Sequence, residues 1–366
     1  MLDEQTVSTL LILIITVSFV IILERVGRSK QTKNQTMINN TPYEQKLEHC
    51  CDDNNQSGDS TNVDAVDSLC ANCGKGEENS GDLKACNACK MVKYCNRDCQ
   101  IAHRPQHKNA CKKRAAELHD VALFKEHPPP DDCPICMLPL PYVADSVNPN
   151  QTNFKSCCGY VICNGCVYEM GESHLCPMCR VPSVNCSVQE DIKRLEKLTK
   201  KGNAEAFNQL GTCYDSRYCE AMGVPQDVAK ANSLFLKAGE LGCSTGYYNL
   251  GQSYLESRGV RRDMKKAYKY WELAAMMGNI SGRYNLGVEE LKAGNHHRAY
   301  KHFVLAARAG DIESLERVKK GFMNGFVTKD EYANALRVHQ ERQNEIKSEK
   351  RKESDLISAR NSAMYT

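Results

Sequence analysis

The segment CNACKMVKYCNRDCQIAHRPQHKNAC, residues 86–111, carries most of the information about the fold. Cysteine pairs recur along it, a histidine precedes its last cysteine, and a further pair, Cys70 and Cys73, lies before it. Pairs at this spacing let two ligands reach one tetrahedral Zn2+, and so short a segment buries too little apolar surface to fold without a metal. The segment therefore predicts a small domain folded around zinc.

A second series of cysteine pairs runs over residues 133–179. Its members are Cys133, Cys136, Cys157, Cys158, Cys163, Cys166, Cys176 and Cys179. The whole chain has 366 residues, 21 cysteines and a net charge of +3. Because the cysteines cluster at metal-type spacings, we expect a reducing compartment rather than a disulfide scaffold. The near-zero net charge gives no reason to expect binding to nucleic acid.

The first series of cysteine pairs, residues 70–111, resembles the MYND zinc finger through VKYCNRDCQ at residues 92–100 and HKNAC at residues 107–111. Ligand pairs interleave in that family. The resemblance implies one zinc on Cys70, Cys73, Cys95 and Cys99 and another on Cys86, Cys89, His107 and Cys111. His103 is a rival ligand whose offset fits the motif less well. MYND fingers mostly bind proline-containing peptides with a groove tryptophan, but Arg104 stands at that position, so a structural or intramolecular role is the alternative.

The second series of cysteine pairs, residues 133–179, resembles the RING finger of ubiquitin ligases. Tyr160 stands where that family usually has histidine, and an all-cysteine variant in which Cys157 and Cys158 both bind restores the number of ligands. The resemblance then implies one zinc on Cys133, Cys136, Cys163 and Cys166 and another on Cys157, Cys158, Cys176 and Cys179. Four structural zinc ions are therefore expected in the chain. Two separate rubredoxin-like knuckles are the alternative.

This scheme leaves no open metal position and no activated thiol, because every cysteine with motif spacing is a zinc ligand. A RING ligase needs neither, since it holds a ubiquitin-loaded conjugating enzyme in a reactive geometry. By resemblance, Ile135 and Pro177 contact the conjugating enzyme, and Arg180 bridges that enzyme and ubiquitin. An ordinary surface cation is the alternative for Arg180.

The N-terminal segment VSTLLILIITVSFVIIL, residues 7–23, contains no charged residue. As a helix it is about 25 Å long, close to the ~30 Å of a bilayer core. Arg25, Arg28, Lys30 and Lys33 follow it, so we expect a single-pass membrane protein whose C-terminal body lies in the cytosol. A cleaved signal peptide is disfavoured because Asp3 and Glu4 replace a basic start, and a buried soluble helix is the alternative.

From residue 203 the sequence repeats with a period of about 36 residues. Each copy has a Leu-Gly pair near its start (Leu210-Gly211, Leu250-Gly251, Leu286-Gly287) and a closing glycine (Gly242, Gly278, Gly310). The pattern resembles the Sel-one-like repeat, a relative of the tetratricopeptide repeat, and predicts stacked helix pairs with a degenerate fourth copy at residues 311–341 as a cap. The aromatic residues Tyr247, Tyr254, Tyr270 and Trp271 are expected either on a concave binding face or in the core.

The sequence therefore predicts a multi-domain protein with an N-terminal transmembrane helix, two small zinc-stabilised α+β fingers and an all-α helical-repeat solenoid. The expected ranges are an anchor at 1–33, a disordered linker at 34–66, a MYND-like finger at 67–114 and a linker at 115–132. The remaining expected ranges are a RING-like finger at 133–182, repeats at 190–341 and a charged tail at 342–366, which is either a solvated helix or disordered.

This order of modules predicts a membrane-anchored RING-type E3 ubiquitin ligase. Its RING finger recruits the conjugating enzyme, and its repeats or MYND finger select clients. The alternative is a non-enzymatic zinc-finger and repeat scaffold that mediates protein–protein interactions. A MYND-bearing methyltransferase is disfavoured, because the sequence has no glycine-rich cofactor motif.

Overall fold

A computed structural model of the chain describes residues 69–76, 83–126, 130–141, 152–170, 175–182, 187–215, 223–354 and 356. The expected membrane span at 7–23 and the expected linker at 34–66 lie outside these residues. No helix within the described ranges is long and apolar enough to cross a membrane. The chain divides into two compact units, Met1–Ala122 and Leu123–Thr366.

The first unit contains the first finger, residues 70–111. Strands β1 (Lys84–Ala85) and β2 (Lys93–Tyr94) form an antiparallel hairpin in which Lys84 lies opposite Tyr94, and helix α1 (Arg97–Leu123) follows. The buried core comprises Cys70, Leu83, Cys86, Cys89, Tyr94 and Cys111. Because most of these side chains are cysteines, the stability of the finger depends on what the thiols bind.

Helix α1 continues through the first part of the expected linker at 115–132. Residues 115–123 are helical, so the first part of this linker is a continuation of α1. The sequence between Cys111 and Leu123 contains neither glycine nor proline and is rich in Lys, Ala, Glu and Leu, all strong helix formers. Nothing in it ends the helix that the finger begins.

The second unit begins with the second finger, residues 133–182. Strands β3 (Thr152–Phe154) and β4 (Val161–Cys163) pair antiparallel with Phe154 opposite Val161, and the short helix α2 (Asn164–Glu169) follows. Ile162 packs at its centre with the sulfurs of the surrounding cysteines. Both fingers therefore combine one hairpin with one helix.

The repeat region begins with α3 (Val188–Thr199) and continues as antiparallel helix pairs. In the described residues these pairs are α4 (Ala204–Asp215) with α5 (Val228–Glu240), α6 (Ser244–Glu256) with α7 (Met264–Met276), α8 (Ile280–Lys292) with α9 (His296–Arg308), and α10 (Ile312–Met323) with α11 (Lys329–Glu345). Consecutive helices contact each other along the chain, which is the arrangement of a solenoid. The helices extend slightly beyond the expected 190–341 at both ends.

The Leu-Gly pairs let the two helices of each repeat approach closely. A Cβ atom on Gly211, Gly251 or Gly287 would lie 2.7, 2.5 or 2.8 Å from the ring of Phe235, Trp271 or Phe303 on the partner helix. Those three rings are at most 1% exposed. Burying a large apolar side chain stabilises the fold by about 1.5–3 kcal/mol, so each glycine makes room for a main packing contact of its repeat.

The closing glycines end the second helix of each repeat. Gly242, Gly278 and Gly310 have φ values of +106°, +91° and +106°, which L side chains rarely adopt. The next helix begins at once, because Asn279 and Asp311 accept the amides of Gly282 and Ser314 at 2.7 Å. A glycine followed by an N-cap residue therefore sets the length of the repeat.

The second finger packs against the start of the repeat region. Phe154 of β3 joins the apolar cluster that contains Leu195 and Leu198 of α3. The Ser156 hydroxyl donates to Asp191 at 2.9 Å in the same region. The finger is thereby fixed to the first helix of the solenoid.

The end of the repeat region also returns to the second finger. Of the two expectations for the tail at 342–366, a solvated helix or disorder, its described part fits the helix, because α11 continues to Glu345 and residues 349–354 are again helical, but not all of it is solvated. Arg351 is only 7% exposed and donates to backbone carbonyls of the finger. Its partners lie far away in sequence, and the charge of the tail gave no indication of them.

Candidate metal centres

Four C-x2-C pairs of the two fingers, those that begin at Cys70, Cys86, Cys133 and Cys176, lie in the same kind of tight turn. In each, the carbonyl of the first cysteine accepts the amide of the residue that follows the second cysteine. These N···O distances are 2.9 Å for Gly74 and Lys90 and 2.8 Å for Met137 and Arg180. The four residues have φ between +55° and +70°, so the turn closes tightly enough to point both sulfurs of a pair the same way.

The turns bring the side chains of the first finger together in two clusters. One contains Cys70, Cys73, Cys95 and Cys99, and the other contains Cys86, Cys89, His107 and Cys111; within each, the ligand atoms lie within 4.8 Å of one another. The sulfur of Cys95 lies 3.6 Å from those of Cys73 and Cys99. In the second cluster, Nε2 of His107 lies 3.3 Å from the sulfur of Cys89.

The second finger contains two further clusters, each of four sulfurs. They comprise Cys133, Cys136, Cys163 and Cys166, and Cys157, Cys158, Cys176 and Cys179. The Cys136–Cys163 and Cys158–Cys176 sulfurs are each 3.7 Å apart. In both fingers the first and third ligand pairs form one cluster, and the second and fourth pairs form the other. Because the pairs interleave along the chain, each cluster connects segments that the other cluster also holds.

These distances fit a tetrahedral zinc ion. Four sulfurs held about 2.3 Å from one ion are about 3.8 Å apart, and a nitrogen and a sulfur are about 3.5 Å apart. The S···S distances in the clusters run from 3.4 to 3.9 Å, and the cysteines of the clusters are free thiols. A disulfide would need about 2.0 Å. The clusters thus fit zinc fingers, and four protein ligands leave no position open for a reacting water.

In each of the four clusters, burial raises the pKa of one thiol but backbone amides of a cysteine turn lower it overall, and in the cluster of Cys86, Cys89, His107 and Cys111 this thiol is Cys86. Burial raises the pKa of Cys70, but backbone amides, those of Cys73 and Cys95 first, donate to its sulfur and lower the pKa to about 6 overall. The same balance gives a pKa of about 7 for Cys133 and Cys176. Burial and neighbouring sulfurs raise the pKa of Cys95 to about 12. The Cys95 thiol therefore ionises only beside a bound cation.

The rival ligands lie outside the clusters. Nδ1 of His103 is 3.1 Å from the hydroxyl of Tyr94, whereas His107 faces Cys89. Burial, and then the charge of His103, lower the pKa of His107, which favours the neutral imidazole that binds metal. Tyr160, at the position where RING fingers usually have histidine, is 51% exposed and takes no part in a cluster.

The residues that the resemblances assign to partner binding lie at the surface. Ile135 is 40% exposed, Pro177 is half-buried and Arg180 is exposed, each within or directly after a cysteine turn of the second finger. Arg104 is exposed on α1. These positions are compatible with contacts to a partner, and their roles stay predictions.

Of the two expectations for the repeat aromatics, the structure supports the core. Tyr254, Tyr270 and Trp271 are at most 2% exposed. The ring of Tyr247 is half-buried and packs so closely on Gly239 that a Cβ there would lie 2.4 Å from it. These side chains hold the helices together and do not line a binding face.

Sequence reasoning missed a residue beside one of the metal centres. The guanidinium of Arg351 lies 3.5 Å from the sulfur of Cys136, and 215 residues separate the two. It also missed Arg283, which is 1% exposed and donates to the carbonyl of Leu123 at 2.8 Å. Arg351 belongs to no motif, and Arg283 lies in the third repeat at a position that no repeat signal singles out, so only the buried positions that the fold gives them reveal their importance.

Comparison with known proteins identifies two of the modules. The MYND finger family matches residues 70–111, and the Sel1 repeat family matches residues 204–243, 244–279 and 281–311. The expected MYND finger and Sel-one-like repeats are therefore confirmed, and both kinds of domain generally mediate protein–protein interactions. The RING resemblance of the second finger stays a prediction.

Among solved structures, the chain is similar to a Sel1 repeat protein from Oxalobacter formigenes, with 21% identity, a TM-score of 0.36, and coverage of 42% of this chain and 64% of that one. It is also similar to c5321, a protective antigen from uropathogenic Escherichia coli with an SLR fold, with 23% identity, a TM-score of 0.35, and coverage of 41% and 33%. The chain thus spans less than two thirds of either protein. No curated protein matches it.

Proposed function

We propose that this chain is a protein-interaction scaffold in which two zinc-held fingers and a Sel1-repeat solenoid bind partner proteins. The match to a MYND finger and to Sel1 repeats supports this function. So does the closed form of all four clusters, since a zinc ion with four protein ligands stabilises a fold and performs no chemistry.

The observation that carries the proposal is an exposed apolar surface at the end of the solenoid. Met323 is 74% exposed where α10 turns toward α11, and the rings of Phe322 and Phe326 stay 38% and 46% exposed although they stack on Tyr332 and on His296 and Tyr300. The last repeat of a solenoid usually presents a polar face to water. Large apolar side chains left exposed there mark a surface that a partner protein covers.

Affinity purification of the full chain with quantitative mass spectrometry tests this surface. The variant Met323→Asp places a charge at its most exposed apolar position and should lose the partners that the wild-type chain retains. The matched control is Ile312→Ser, which changes an exposed apolar residue at the other end of α10. If Met323→Asp recovers the same proteins as the control and the wild type, this surface is not an interaction site.

A second candidate function is that of a RING-type E3 ubiquitin ligase. The interleaved clusters of the second finger favour the ligase function, and so do Ile135 and Arg180, which are exposed beside them. In RING ligases the matching apolar residue binds the conjugating enzyme, and the matching cation holds ubiquitin in its reactive pose. Such catalysis is by orientation alone, so it is compatible with closed zinc sites.

Discharge of ubiquitin from a panel of loaded conjugating enzymes distinguishes the two functions. If the chain is a ligase, it accelerates discharge, Ile135→Ala weakens binding of the enzyme, and Arg180→Ala slows discharge while binding is retained. Both variants should keep the wild-type zinc content, because neither residue is a ligand. No acceleration with any enzyme of the panel leaves the scaffold function alone.

We also propose that residues 7–23 anchor the chain in a membrane with its body in the cytosol. The uncharged segment and the basic residues after it support this orientation. A cytosolic body leaves the sequons at Asn34, Asn39, Asn55 and Asn150 unglycosylated. An endoglycosidase-sensitive shift in the mass of the full chain would overturn the orientation and, with it, any part in ubiquitin transfer.

A further inference from the structure

Arg351 lies in a short C-terminal arm, residues 348–354, that contacts the second finger. Its guanidinium donates to the carbonyls of Pro139 at 2.8 Å and Leu138 at 3.3 Å, and it lies 3.5 Å from the sulfur of Cys136. The side chain is 7% exposed. A buried arginine is costly unless its partners compensate its charge, so these contacts are not those of an ordinary surface residue.

The backbone of the arm packs directly on α2, the helix that begins after Cys163. A Cβ on Gly165 would lie 2.8 Å from Cγ of Arg351, 2.9 Å from its amide nitrogen and 3.1 Å from its Cα. Lys350 forms an ion pair with Glu169 at the other end of α2. The arm therefore spans the helix and reaches the first cysteine turn of the finger.

The charge of the metal centre explains why a cation is buried there. Four thiolates around one Zn2+ carry a net charge of −2, and desolvating that charge is unfavourable. A guanidinium beside one of the sulfurs offsets part of this charge, and its contacts to the carbonyls of Pro139, Leu138 and Ile346 fix its position. Groups that hydrogen-bond metal ligands orient them, and their loss typically lowers metal affinity about 10- to 100-fold.

We propose that Arg351 is a positioning residue for the zinc centre formed by Cys133, Cys136, Cys163 and Cys166. The proposal rests on the zinc sites of the proposed function and does not depend on which partners the chain binds. Its consequence is that the finger and the end of the repeat region act as one unit, because the centre reaches full affinity only while the arm is docked.

Competition with a chromogenic chelator on the full chain tests this role through the variant Arg351→Ala. One of the four zinc equivalents should lose about 10- to 100-fold in affinity while the other three behave as in the wild type. The matched control is Arg337→Ala, which removes an exposed arginine of α11 that pairs only with Glu341 among the contacts described. In the cadmium-substituted protein, 113Cd NMR should show one all-sulfur signal shifted by Arg351→Ala and none by the control.

Gly165→Ala provides a second test that leaves Arg351 in the sequence. Alanine suits a helix, but its methyl group collides with the arm, so this variant should weaken the same zinc equivalent and shift the same cadmium signal. The proposal is overturned if Arg351→Ala matches Arg337→Ala with all four ions bound, or if all four ions are lost together. If the wild-type chain binds no zinc at this centre, so that only three zinc ions are found, the proposal is overturned together with the site.

Discussion

His302 is a fully buried histidine in the core of the third repeat. It is 0% exposed, its ring centroid lies 4.8 Å from that of Phe124, and neither ring nitrogen has a hydrogen-bond partner among the described residues. Burial, and then the charges of Arg283 and Arg298, lower its pKa to about 3. The folded chain therefore keeps this imidazole neutral well below the pH at which an unfolded histidine takes up a proton.

The lowered pKa of His302 predicts that the repeat region loses stability in acid. The unfolded chain binds the proton first, so this contribution is complete above about pH 6.5 and is lost as the pH falls toward the folded pKa. From about pH 7 to about pH 5, the free energy of unfolding should fall by about 2 kcal/mol more in the wild type than in His302→Gln. Denaturant titrations at both pH values measure the difference.

The wild type and His302→Gln share every other acid-sensitive group, including the zinc ligands. The difference between their pH dependences therefore reports on His302 alone. The control variant is His297→Gln, because His297 is exposed on the same helix. It should retain the full pH dependence of the wild type. An equal pH dependence in wild type and His302→Gln would mean that His302 is protonated in the folded chain.

Among the helices, the contact between Gly251 of α6 and the indole of Trp271 shows how closely the repeats are packed. Gly251→Ala introduces a Cβ 2.5 Å from the ring and should cost about 1–3 kcal/mol by overpacking. Because a smaller ring makes room for the methyl group, the double variant with Trp271→Phe should be less destabilised than the sum of the two single variants. Thermal unfolding of the four proteins measures this coupling, and strictly additive losses would contradict it.

In the second finger, the all-cysteine arrangement makes a prediction about two neighbouring residues. The sulfur of Cys158 lies 3.7 Å from that of Cys176, whereas Tyr160 is outside both clusters. Cys158→Ser should therefore remove one zinc ion from the purified chain, while Tyr160→Phe should retain the wild-type content. Elemental analysis against protein concentration measures both, and a loss of zinc in Tyr160→Phe would show that the tyrosine is the ligand.

The elements predicted well from the sequence are those defined by local signals. A Leu-Gly pair and a closing glycine encode each repeat within its own residues, and the C-x2-C spacing encodes each cysteine turn. The end of α1 was missed for the opposite reason. The proline-rich residues from Glu126 onward suggested a linker, but the helix continues up to Leu123 because no residue before that point opposes it.

At the scale of the whole molecule, the contacts that fix the second finger to the repeats could not be predicted. Arg351 is one of many basic residues in a charged segment, and its partner Cys136 lies 215 residues away. Periodicity identifies which face of a helix is buried but not which distant segment covers it. Only the fold shows that the finger contacts both the first helix of the solenoid and the arm that follows its last helix.

Native mass spectrometry of the full chain tests most directly the claim that two fingers are built around four closed metal centres. The account predicts four zinc ions per chain, with each of the four clusters supplying four protein ligands. Chelation should remove all four and unfold both fingers, while the helices of the repeats persist, because each structural zinc contributes on the order of 10 kcal/mol to the fold that holds it. A wild-type chain that binds two zinc ions or fewer would contradict the account.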